Sequence, residues 1–304
     1  TIRQVGRPLS VPPGGTILDA ALGAGIDYPH GCRSGNCGAC KSRLIEGRVE
    51  LRDHSTFALN EDERRQGLIL ACCARPVTGC VVAWLGDDAD APASPHRWLD
   101  CTVAAIDDVT HDIRRVRLTV VDGPPLDFAA GQYARVTFPG APVRDYSMAN
   151  RPGDPLIEFH IRRVLGGAAS QRVATILRVG DPVRVEGPYG SSHLRPSHTG
   201  PILAIAGGSG LAPIKSIVET ALGEGREQPI HVYFGVRTER DLYLVDHFEE
   251  LSSRHRNLRF ITVLSEQGTA TRRRRGLVGD AVAADLPGLA GWKAYLAGPP
   301  AMVE

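Results

Sequence analysis

The sequence has no run of apolar residues long enough to cross a bilayer, and its charges nearly cancel. The most apolar stretch, residues 201–213, is interrupted by three glycines and is too short to span a membrane. No charged-then-apolar signal segment opens the chain, so we expect a cytoplasmic protein without a membrane partner. The formal net charge of +1 gives no basic surface for binding phosphates, which argues against nucleic acid as a partner.

Signatures of hydrolytic enzymes and of repeat proteins are also absent from the sequence. We find no Ser-His-Asp pattern, no metallohydrolase motif and no internal repeat. With 304 residues the chain is long enough for two or three domains, so we expect a multidomain protein. Nothing in the sequence demands an oligomer, and we expect a monomer.

Composition divides the chain into three segments. Residues 86–96 are rich in Asp, Ala and Pro, which is typical of a linker, and we place a first domain at residues 1–89. Short alternating stretches punctuated by Gly and Pro predict a barrel or sandwich at residues 97–197. From residue 198 to residue 304, strand-like and helix-like stretches alternate, which predicts a parallel α/β sheet.

One strand of the second segment shows a clear alternation. The side chains of Ile157, Phe159 and Ile161 are apolar, and the intervening residues are Glu158, His160 and Arg162. A period of two places these sets on opposite faces of a strand. We therefore expect one buried face and one face in water, with His160 on the water face.

Four of the seven cysteines have the spacing of a metal-cluster site. Cys32, Cys37 and Cys40 are arranged as C-x4-C-x2-C, and Cys72 follows further along, which matches plant-type 2Fe-2S ligation. A four-cysteine zinc site is the alternative, although such sites generally use two close pairs. Cys73 adjoins Cys72 and is a rival fourth ligand. The apolar stretch before Cys72 favours Cys72, because a buried strand would deliver that side chain to the cluster.

Two short motifs indicate a flavin dinucleotide site. The sequence RDYS occupies residues 144–147, and FHIRRVLGGAAS occupies residues 159–170. Amides at the helix start after Gly167 would hold a pyrophosphate, together with the Arg144 charge and the Ser170 hydroxyl. Each motif alone is weak, and their order and separation strengthen the prediction.

The third segment contains a glycine-rich turn between a strand and a helix. The turn IAGGSGLAP has Pro213 where the dinucleotide fingerprint has its third glycine, so the fingerprint is not strictly met. An acidic residue at the end of the following strand would favour NADH, but that strand ends near Arg237, which would tolerate a 2′-phosphate. The choice between NADH and NADPH stays open at this point.

Taken together, these segments resemble the reductase components of bacterial aromatic-ring dioxygenases, of the naphthalene dioxygenase reductase type. The resemblance lies in RDYSMAN, EFHIRRVLGG, GPYG, HTGPILAIAGGSGLAPIKSIV, VYFGVRTERDLY and GWKAYLAGPPAMVE behind a plant-type ferredoxin segment, and it covers essentially the whole chain. It implies a β-grasp ferredoxin domain, a six-stranded antiparallel FAD barrel and a Rossmann-like nicotinamide domain. It also implies a further strand after the position of Glu304, so we expect either that the last domain is incomplete at its carboxyl end or that this reductase has lost that strand.

The resemblance assigns roles to individual residues. Tyr146 would pack on the isoalloxazine ring, and the Ser147 hydroxyl would lie near the flavin N5 that receives hydride, which makes these two the catalytic residues. The remaining FAD contacts that it implies are Arg144, His160, Ile161, Arg162, Gly167, Ala168 and Ser170. The nicotinamide dinucleotide contacts that it implies are Gly208, Ser209, Gly210, Pro213, Arg237, Gly298, Pro299 and Pro300.

The resemblance further implies an electron path and its partners. Electrons would pass from NADH, with NADPH as the open alternative, through FAD and the 2Fe-2S cluster to a Rieske-type ferredoxin or a Rieske oxygenase. A diiron monooxygenase reductase has a similar domain order and is an alternative. A zinc-bound interaction module on an inactive flavin fold is the alternative from a different class. One departure concerns Ala297, where the family usually has a cysteine, and we expect the nicotinamide ring to be held by shape and by Ser147.

Overall fold

The structure, a computed structural model, describes residues 1–36, 38–56, 58–85, 94–266, 271 and 273–303. These residues form two compact units, the first containing residues up to 85 with residues 190–192, and the second containing residues 94–189 and 193–302. Most of the predicted linker at residues 86–96 lies outside the described residues. The described part of the chain contains no helix that is long and apolar enough to cross a membrane.

The first unit is a small β-grasp fold, as predicted. Strand β1 pairs antiparallel with β3 and β5, β2 pairs with β4, and Ile2 makes a parallel bridge to Val82. Helix α1 begins after Thr16, whose hydroxyl accepts a hydrogen bond from the Asp19 amide, and it buries its apolar face in the core. The elements are α1 (Ile17–Gly23), β1 (Lys41–Glu46), β2 (Val49–Leu51), α2 (Glu61–Arg65), β3 (Leu68–Leu70), β4 (Ala74–Pro76) and β5 (Val81–Trp84).

The second unit begins with a six-stranded antiparallel barrel. Its elements are β6 (Arg97–Asp108), β7 (Ile113–Val120), β8 (Tyr133–Thr137), β9 (Arg144–Ser147), β10 (Ile157–Arg162), α3 (Ala168–Thr175) and β11 (Pro182–Tyr189). The strand order is β10-β7-β6-β11-β8-β9, and a bridge between Met148 and Phe159 brings the two edges together. The barrel is therefore nearly closed, which confirms the predicted antiparallel architecture. The RDYS motif forms the edge strand β9.

The second unit continues with a parallel sheet flanked by helices. Its elements are β12 (Ile202–Gly207), α4 (Leu211–Gly223), β13 (Ile230–Val236), α5 (Val245–Arg254), β14 (Leu258–Leu264), β15 (Arg274–Arg275), α6 (Val278–Asp285), β16 (Lys293–Ala297) and α7 (Pro300–Val303). The order β15-β14-β13-β12-β16 with parallel pairing confirms the predicted α/β domain. Because both this sheet and the barrel belong to the second unit, the boundary at residue 198 stays a prediction.

The water-facing side that was predicted for β10 is buried at Glu158 and His160, so the expectation is wrong for these two residues, whereas Arg162 is partly exposed. Glu158 is 8% exposed and His160 is 5% exposed. The reason is tertiary, because Lys215 of α4 and the hydroxyl of Tyr243 lie against these polar side chains. The alternation therefore separates the interior of the barrel from a buried polar layer shared with the parallel-sheet domain.

Candidate functional site

The predicted cluster loop is shaped by backbone groups that point at sulfur. The amides of Ser34 and Asn36 donate to the Cys32 Sγ over 3.4 and 3.2 Å. Such N–H groups stabilise a thiolate that ligates iron. Cys37 lies outside the described residues, and the part of the chain that is described has no group of three His, Cys, Asp or Glu side chains that could hold a metal ion.

Gly35 shows why this loop needs glycine. Its φ is +83°, and a Cβ at this position would stand 2.8 Å from the Cys73 Sγ and 2.9 Å from the His54 Cβ. A side chain here would displace the second cysteine of the Cys72–Cys73 pair. The loop backbone therefore packs directly against the Cys72–Cys73 pair, with no room for a side chain at residue 35.

Cys72 and Cys73 have different surroundings, although both are buried. The Cys72 amide donates to the Cys40 Sγ over 3.4 Å, and a separate hydrogen bond between the Cys72 and Cys40 side chains lowers the Cys72 pKa to about 7. The Cys73 Sγ is directed toward the Asp53 carbonyl at 3.9 Å, and burial raises the Cys73 pKa to about 12. Cys72 thus has the thiolate-favouring environment beside another predicted ligand.

Strand β9 presents the flavin motif at the edge of the barrel. The half-buried Tyr146 ring lies 6.1 Å from the Phe138 ring and 6.4 Å from the Phe159 ring, and burial raises its pKa. The Ser147 hydroxyl makes no hydrogen bond to any described residue. The exposed Arg144 guanidinium donates to the Val143 carbonyl over 2.7 Å and has no carboxylate partner within the described ranges. Both polar groups are thus available to a ligand.

The glycine pair before α3 forms a tight loop at the start of the helix. Gly166 has a φ of +75°, and Gly167 is the residue that caps α3. The Ser170 hydroxyl accepts from the Val164 amide and donates to the Gly167 carbonyl, each over 3.1 Å. Ser170 therefore shapes the loop, whereas it was expected to offer its hydroxyl to a pyrophosphate. The first amides of α3, at Ala168 and beyond, have no acceptor within the helix.

The three β10 residues that were predicted to line the flavin cleft point in different directions. The His160 side chain is fully buried, with its Nε2 2.9 Å from the Glu158 carboxylate and its Nδ1 3.0 Å from the Tyr243 hydroxyl. Ile161 is 2% exposed and belongs to the barrel core. The Arg162 Nε donates to the Asp112 carboxylate over 2.8 Å. The side chains of His160 and Ile161 are thus occupied by the protein itself.

The electrostatics of the buried layer are dominated by Glu158 and its partners. Burial would raise the Glu158 pKa, but the hydrogen bond from His160 and the charge of Lys215 overcome burial and lower this pKa to about 2. Burial lowers the pKa of His160. Glu158 is therefore a carboxylate and His160 is neutral, with its Nε2 proton directed at Glu158.

The glycine-rich turn and the final glycine-proline motif come together at one edge of the parallel sheet. Strands β12 and β16 are neighbours, with Ala206 opposite Ala297. A Cβ on Gly210 would stand 2.1 Å from the Ala297 carbonyl oxygen and 2.8 Å from the Gly298 nitrogen. Gly208 has a φ of +54°. Ser209 lies between these glycines, Pro213 is in the first turn of α4, and Pro299 and Pro300 follow Gly298. This is the carboxyl edge where open α/β sheets bind ligands.

An acidic residue that sequence reasoning missed lies beside Arg237. The Glu266 carboxylate is 3.8 Å from the Arg237 guanidinium, and the Glu266 amide donates to the Arg237 carbonyl over 2.9 Å. Glu266 follows β14, whereas the sequence pattern for ribose recognition considers only the end of the second strand. Neighbouring parallel strands end at the same edge, which is the signal that could have identified it.

Strand β10 and the glycine-rich turn at residues 208–210 approach each other within the second unit. A Cβ on Gly208 would lie 3.5 Å from the Arg162 guanidinium. The Tyr243 hydroxyl lies between the His160 Nδ1 at 3.0 Å and the Gly208 carbonyl oxygen at 3.5 Å. Two of the predicted FAD residues, Arg162 and His160, thus lie near Gly208, one of the predicted nicotinamide residues, and hydride transfer between two bound cofactors requires such proximity.

Comparison with family models gives three matches along the chain. Residues 1–77 match a 2Fe-2S iron-sulfur cluster binding domain, residues 100–194 match an oxidoreductase FAD-binding domain, and residues 204–304 match an oxidoreductase NAD-binding domain. These matches confirm the three predicted cofactors, a 2Fe-2S cluster, FAD and a nicotinamide coenzyme.

Comparison with known proteins gives relatives along the whole chain. The reductase component of the naphthalene 1,2-dioxygenase/salicylate 5-hydroxylase systems of Ralstonia sp is 43% identical over 296 residues, which cover 97% of this chain and 89% of that protein. The naphthalene 1,2-dioxygenase system reductase component of Pseudomonas putida is 37% identical and covers 100% of this chain and 91% of its own length. A crystal structure of an Amycolatopsis cytochrome P450 reductase has a TM-score of 0.75 at 38% identity and covers 99% of this chain and 91% of its own.

The three domain matches, the full-length relatives and the arrangement of the motifs agree with one another. The chain therefore belongs to the family of ferredoxin–NAD(P)+ reductase components of oxygenase systems, oxidoreductases that combine a 2Fe-2S domain with FAD- and NAD-binding domains.

Proposed function

We propose that this protein takes electrons from NADH and delivers them to a Rieske-type ferredoxin or a Rieske oxygenase that oxidises aromatic rings. When bound, FAD converts a two-electron hydride donor into a source of single electrons, and the 2Fe-2S cluster carries these onward. The protein's own part is to bind, orient and shield these groups. We propose the domain bounds 1–89 for the ferredoxin domain, 97–197 for the FAD barrel and 198–304 for the nicotinamide domain.

The observation that carries this proposal is the approach of the glycine-rich turn at residues 208–210 to strand β10. The Arg162 guanidinium lies 3.5 Å from where a Cβ of Gly208 would be, and the Tyr243 hydroxyl, which donates to the His160 Nδ1, lies 3.5 Å from the Gly208 carbonyl oxygen. A coenzyme on the turn and a flavin along β9 and β10 would then face each other. Orientation of two reactants can supply a large part of the barrier lowering in such a transfer.

The availability of three groups supports the flavin roles proposed for them. The Ser147 hydroxyl would lie near the flavin N5, the half-buried Tyr146 ring would pack on the isoalloxazine, and the Arg144 guanidinium would meet the pyrophosphate. The free amides at the start of α3, from Ala168 onward, would complete the pyrophosphate site. Ser170 would act indirectly, by holding the preceding glycine loop.

For the cluster we propose Cys32, Cys37, Cys40 and Cys72 as the ligands. The Cys72 amide bonded to the Cys40 Sγ supports this choice over Cys73. For the coenzyme we propose NADH, because the Glu266 carboxylate beside Arg237 would accept hydrogen bonds from ribose hydroxyls and would repel a 2′-phosphate. We also propose a cytoplasmic location, where thiols stay reduced for iron binding.

The decisive experiment is a visible spectrum of the purified protein under anaerobic conditions. We expect flavin and iron–sulfur bands that bleach when NADH is added. Colourless protein that contains zinc would contradict the proposal and would favour an interaction module on an inactive flavin fold.

The acceptor is tested by reconstitution. NADH-driven reduction of a purified Rieske ferredoxin is compared with direct reduction of a Rieske oxygenase, and rapid reduction of either supports the proposal. A diiron acceptor is the second candidate, since a relative 36% identical over 310 residues is the reductase component of phenol 2-monooxygenase from a Pseudomonas strain. Exclusive reduction of a diiron hydroxylase would replace the Rieske assignment.

A further inference from the structure

Lys215 is a buried lysine on α4, two residues after Pro213 of the nicotinamide turn. Its side chain is only 11% exposed. The Nζ lies 3.4 Å from the Glu158 carboxylate and 3.2 Å from the Glu219 carboxylate, and it donates to the Ala149 carbonyl oxygen over 3.1 Å. A buried ammonium is stable when it is paired and hydrogen-bonded; here two hydrogen bonds, to Ala149 and Glu219, and the charge of Glu158 compensate for burial.

The partners of Lys215 come from two different parts of the second unit. Glu219 is on α4 itself, whereas Glu158 and Ala149 belong to the barrel. The next residue, Ser216, adds a hydrogen bond from its hydroxyl to the Asn150 carbonyl oxygen over 2.7 Å. Two consecutive residues of α4 therefore donate hydrogen bonds to two consecutive carbonyl oxygens of the barrel domain.

The segment held by these hydrogen bonds, Ala149 and Asn150, closely follows the RDYS motif at residues 144–147. Ala149 is two residues after Ser147, whose hydroxyl is placed near the reacting flavin atom. The helix that fastens it begins where the nicotinamide turn ends, at Leu211. The contact thus connects the two places whose separation decides whether hydride can pass.

We propose that Lys215 is a positioning residue for hydride transfer, which holds the segment after Ser147 at a fixed distance from the nicotinamide turn. This inference rests on the proposed function. The Lys215 ammonium is buried among protein groups, and it acts through the backbone of Ala149 and the carboxylate of Glu158. Since a displacement of about 1 Å can slow a positioned reaction by about 100-fold, a loosened contact has a measurable consequence.

A charge change at Lys215 tests this role. Lys215→Met keeps the length of the side chain and removes the ammonium, and Lys215→Arg restores a cation that can reach the same carboxylates. Lys293→Met on β16 is the matched control, because the same substitution is made in the same sheet domain. Rapid mixing of each holoprotein with NADH, without oxygen, gives the limiting rate of flavin reduction and the Kd for NADH.

We expect Lys215→Met to lower the limiting rate by about 10- to 100-fold while the Kd for NADH changes less than about twofold. Lys215→Arg recovers most of the rate, and Lys293→Met equals the wild type. A Lys215→Met rate equal to that of the wild type overturns the positioning role. A wild-type protein that never reduces its flavin with NADH overturns the proposed function instead.

A second measurement is independent of turnover. Amide hydrogen exchange of residues 148–150 and 208–212, followed without NADH, should quicken in Lys215→Met and stay unchanged in Lys293→Met. Unchanged exchange in Lys215→Met would contradict the proposal that Lys215 holds the segment after Ser147 in place. Because Lys215→Met removes the ammonium beside Glu158 and leaves this buried carboxylate with the neutral His160, we add the double variant Glu158→Gln/Lys215→Met, which leaves neither Glu158 nor Lys215 charged. The double variant should fold and stay slow, and recovery of the wild-type rate in it would overturn the proposal.

Discussion

Gly210 and Ala297 approach so closely that a Cβ on Gly210 would stand 2.1 Å from the Ala297 carbonyl oxygen. The approach is possible because β12 and β16 are adjacent parallel strands that end at the same edge of the sheet. Sequence patterns describe Gly210 only as part of a glycine-rich turn. Its position is constrained by β16, a strand that lies far away along the chain. Ala297, where the family resemblance implied a cysteine, belongs to the same contact.

Replacing Gly210 tests this contact. In Gly210→Ala the new methyl group would clash with backbone, so the turn must move, and we expect the Kd for NADH to rise by about 10-fold or more. Flavin and iron contents should stay at wild-type values, since neither site includes this turn. Gly279→Ala in α6 is the control, because no atom lies within 4 Å of its Cβ position. Tight NADH binding by Gly210→Ala would contradict the proposed turn.

Removing the Ser147 hydroxyl tests its proposed position near the flavin N5. We expect Ser147→Ala to lower the limiting rate of flavin reduction by about 10- to 100-fold, because one oriented hydrogen-bonding group would be lost. The visible spectrum of bound FAD should remain. Ser253→Ala, on α5, serves as the control and should react like the wild type. An unchanged rate in Ser147→Ala would remove this residue from the catalytic site.

The two adjacent cysteines can be separated by substitution. Cys72→Ala should abolish the iron–sulfur absorbance and the EPR signal of the reduced cluster, because a thiolate beside Cys40 would be lost. Cys73→Ala should keep both signals, since its Sγ faces Gly35 and the Asp53 carbonyl. Iron and labile sulfide are measured on both variants. The reverse outcome would make Cys73 the fourth ligand.

Coenzyme choice is tested at Glu266. Glu266→Gln keeps the shape of the side chain and removes the charge that would repel a 2′-phosphate. We expect the ratio of kcat/KM for NADPH to that for NADH to rise by about tenfold, equivalent to about 1.4 kcal/mol. Glu250→Gln, which removes a carboxylate from α5, should leave the ratio unchanged. If Glu266→Gln behaves in the same way as that control, the preference is set elsewhere.

The buried polar layer predicts how stability depends on pH. Burial lowers the pKa of His160 below its ordinary 6.5, and Glu158 has a pKa of about 2 compared with an ordinary 4.5. At acidic pH the unfolded chain therefore binds more protons at these sites than the folded protein does, so stability falls as pH falls. The loss of stability that is due to His160 begins first, as the pH drops below 6.5. The loss that is due to Glu158 occurs between about pH 4.5 and pH 2.

Urea unfolding followed by flavin fluorescence at pH 7, 6 and 5 measures the histidine contribution. The wild type should lose up to about 1.4 kcal/mol per pH unit from this one site. His160→Gln retains groups that can bond to Glu158 and Tyr243 but cannot take up a proton, so its stability should fall less steeply. Equal slopes for the two proteins would show that His160 does not titrate on unfolding.

The sequence by itself determined the three kinds of domain and the classes of cofactor. The reason is that the decisive features are local: three thiolates occur within one short loop, and each glycine turn joins two elements that are adjacent in the chain. Alternating strand-like and helix-like stretches predicted the parallel sheet, and repeated short strands predicted a barrel or sandwich, of which the family resemblance selected the antiparallel barrel.

Tertiary structure alone decided which polar groups are occupied and which are available. His160 was expected in water but is covered by Tyr243, and Lys215 pairs with Glu158 more than fifty residues away along the chain. Similarly, Glu266 meets Arg237 only because neighbouring parallel strands end at the same edge. Desolvation and charge pairing depend on such distant neighbours, and a local sequence pattern does not contain them.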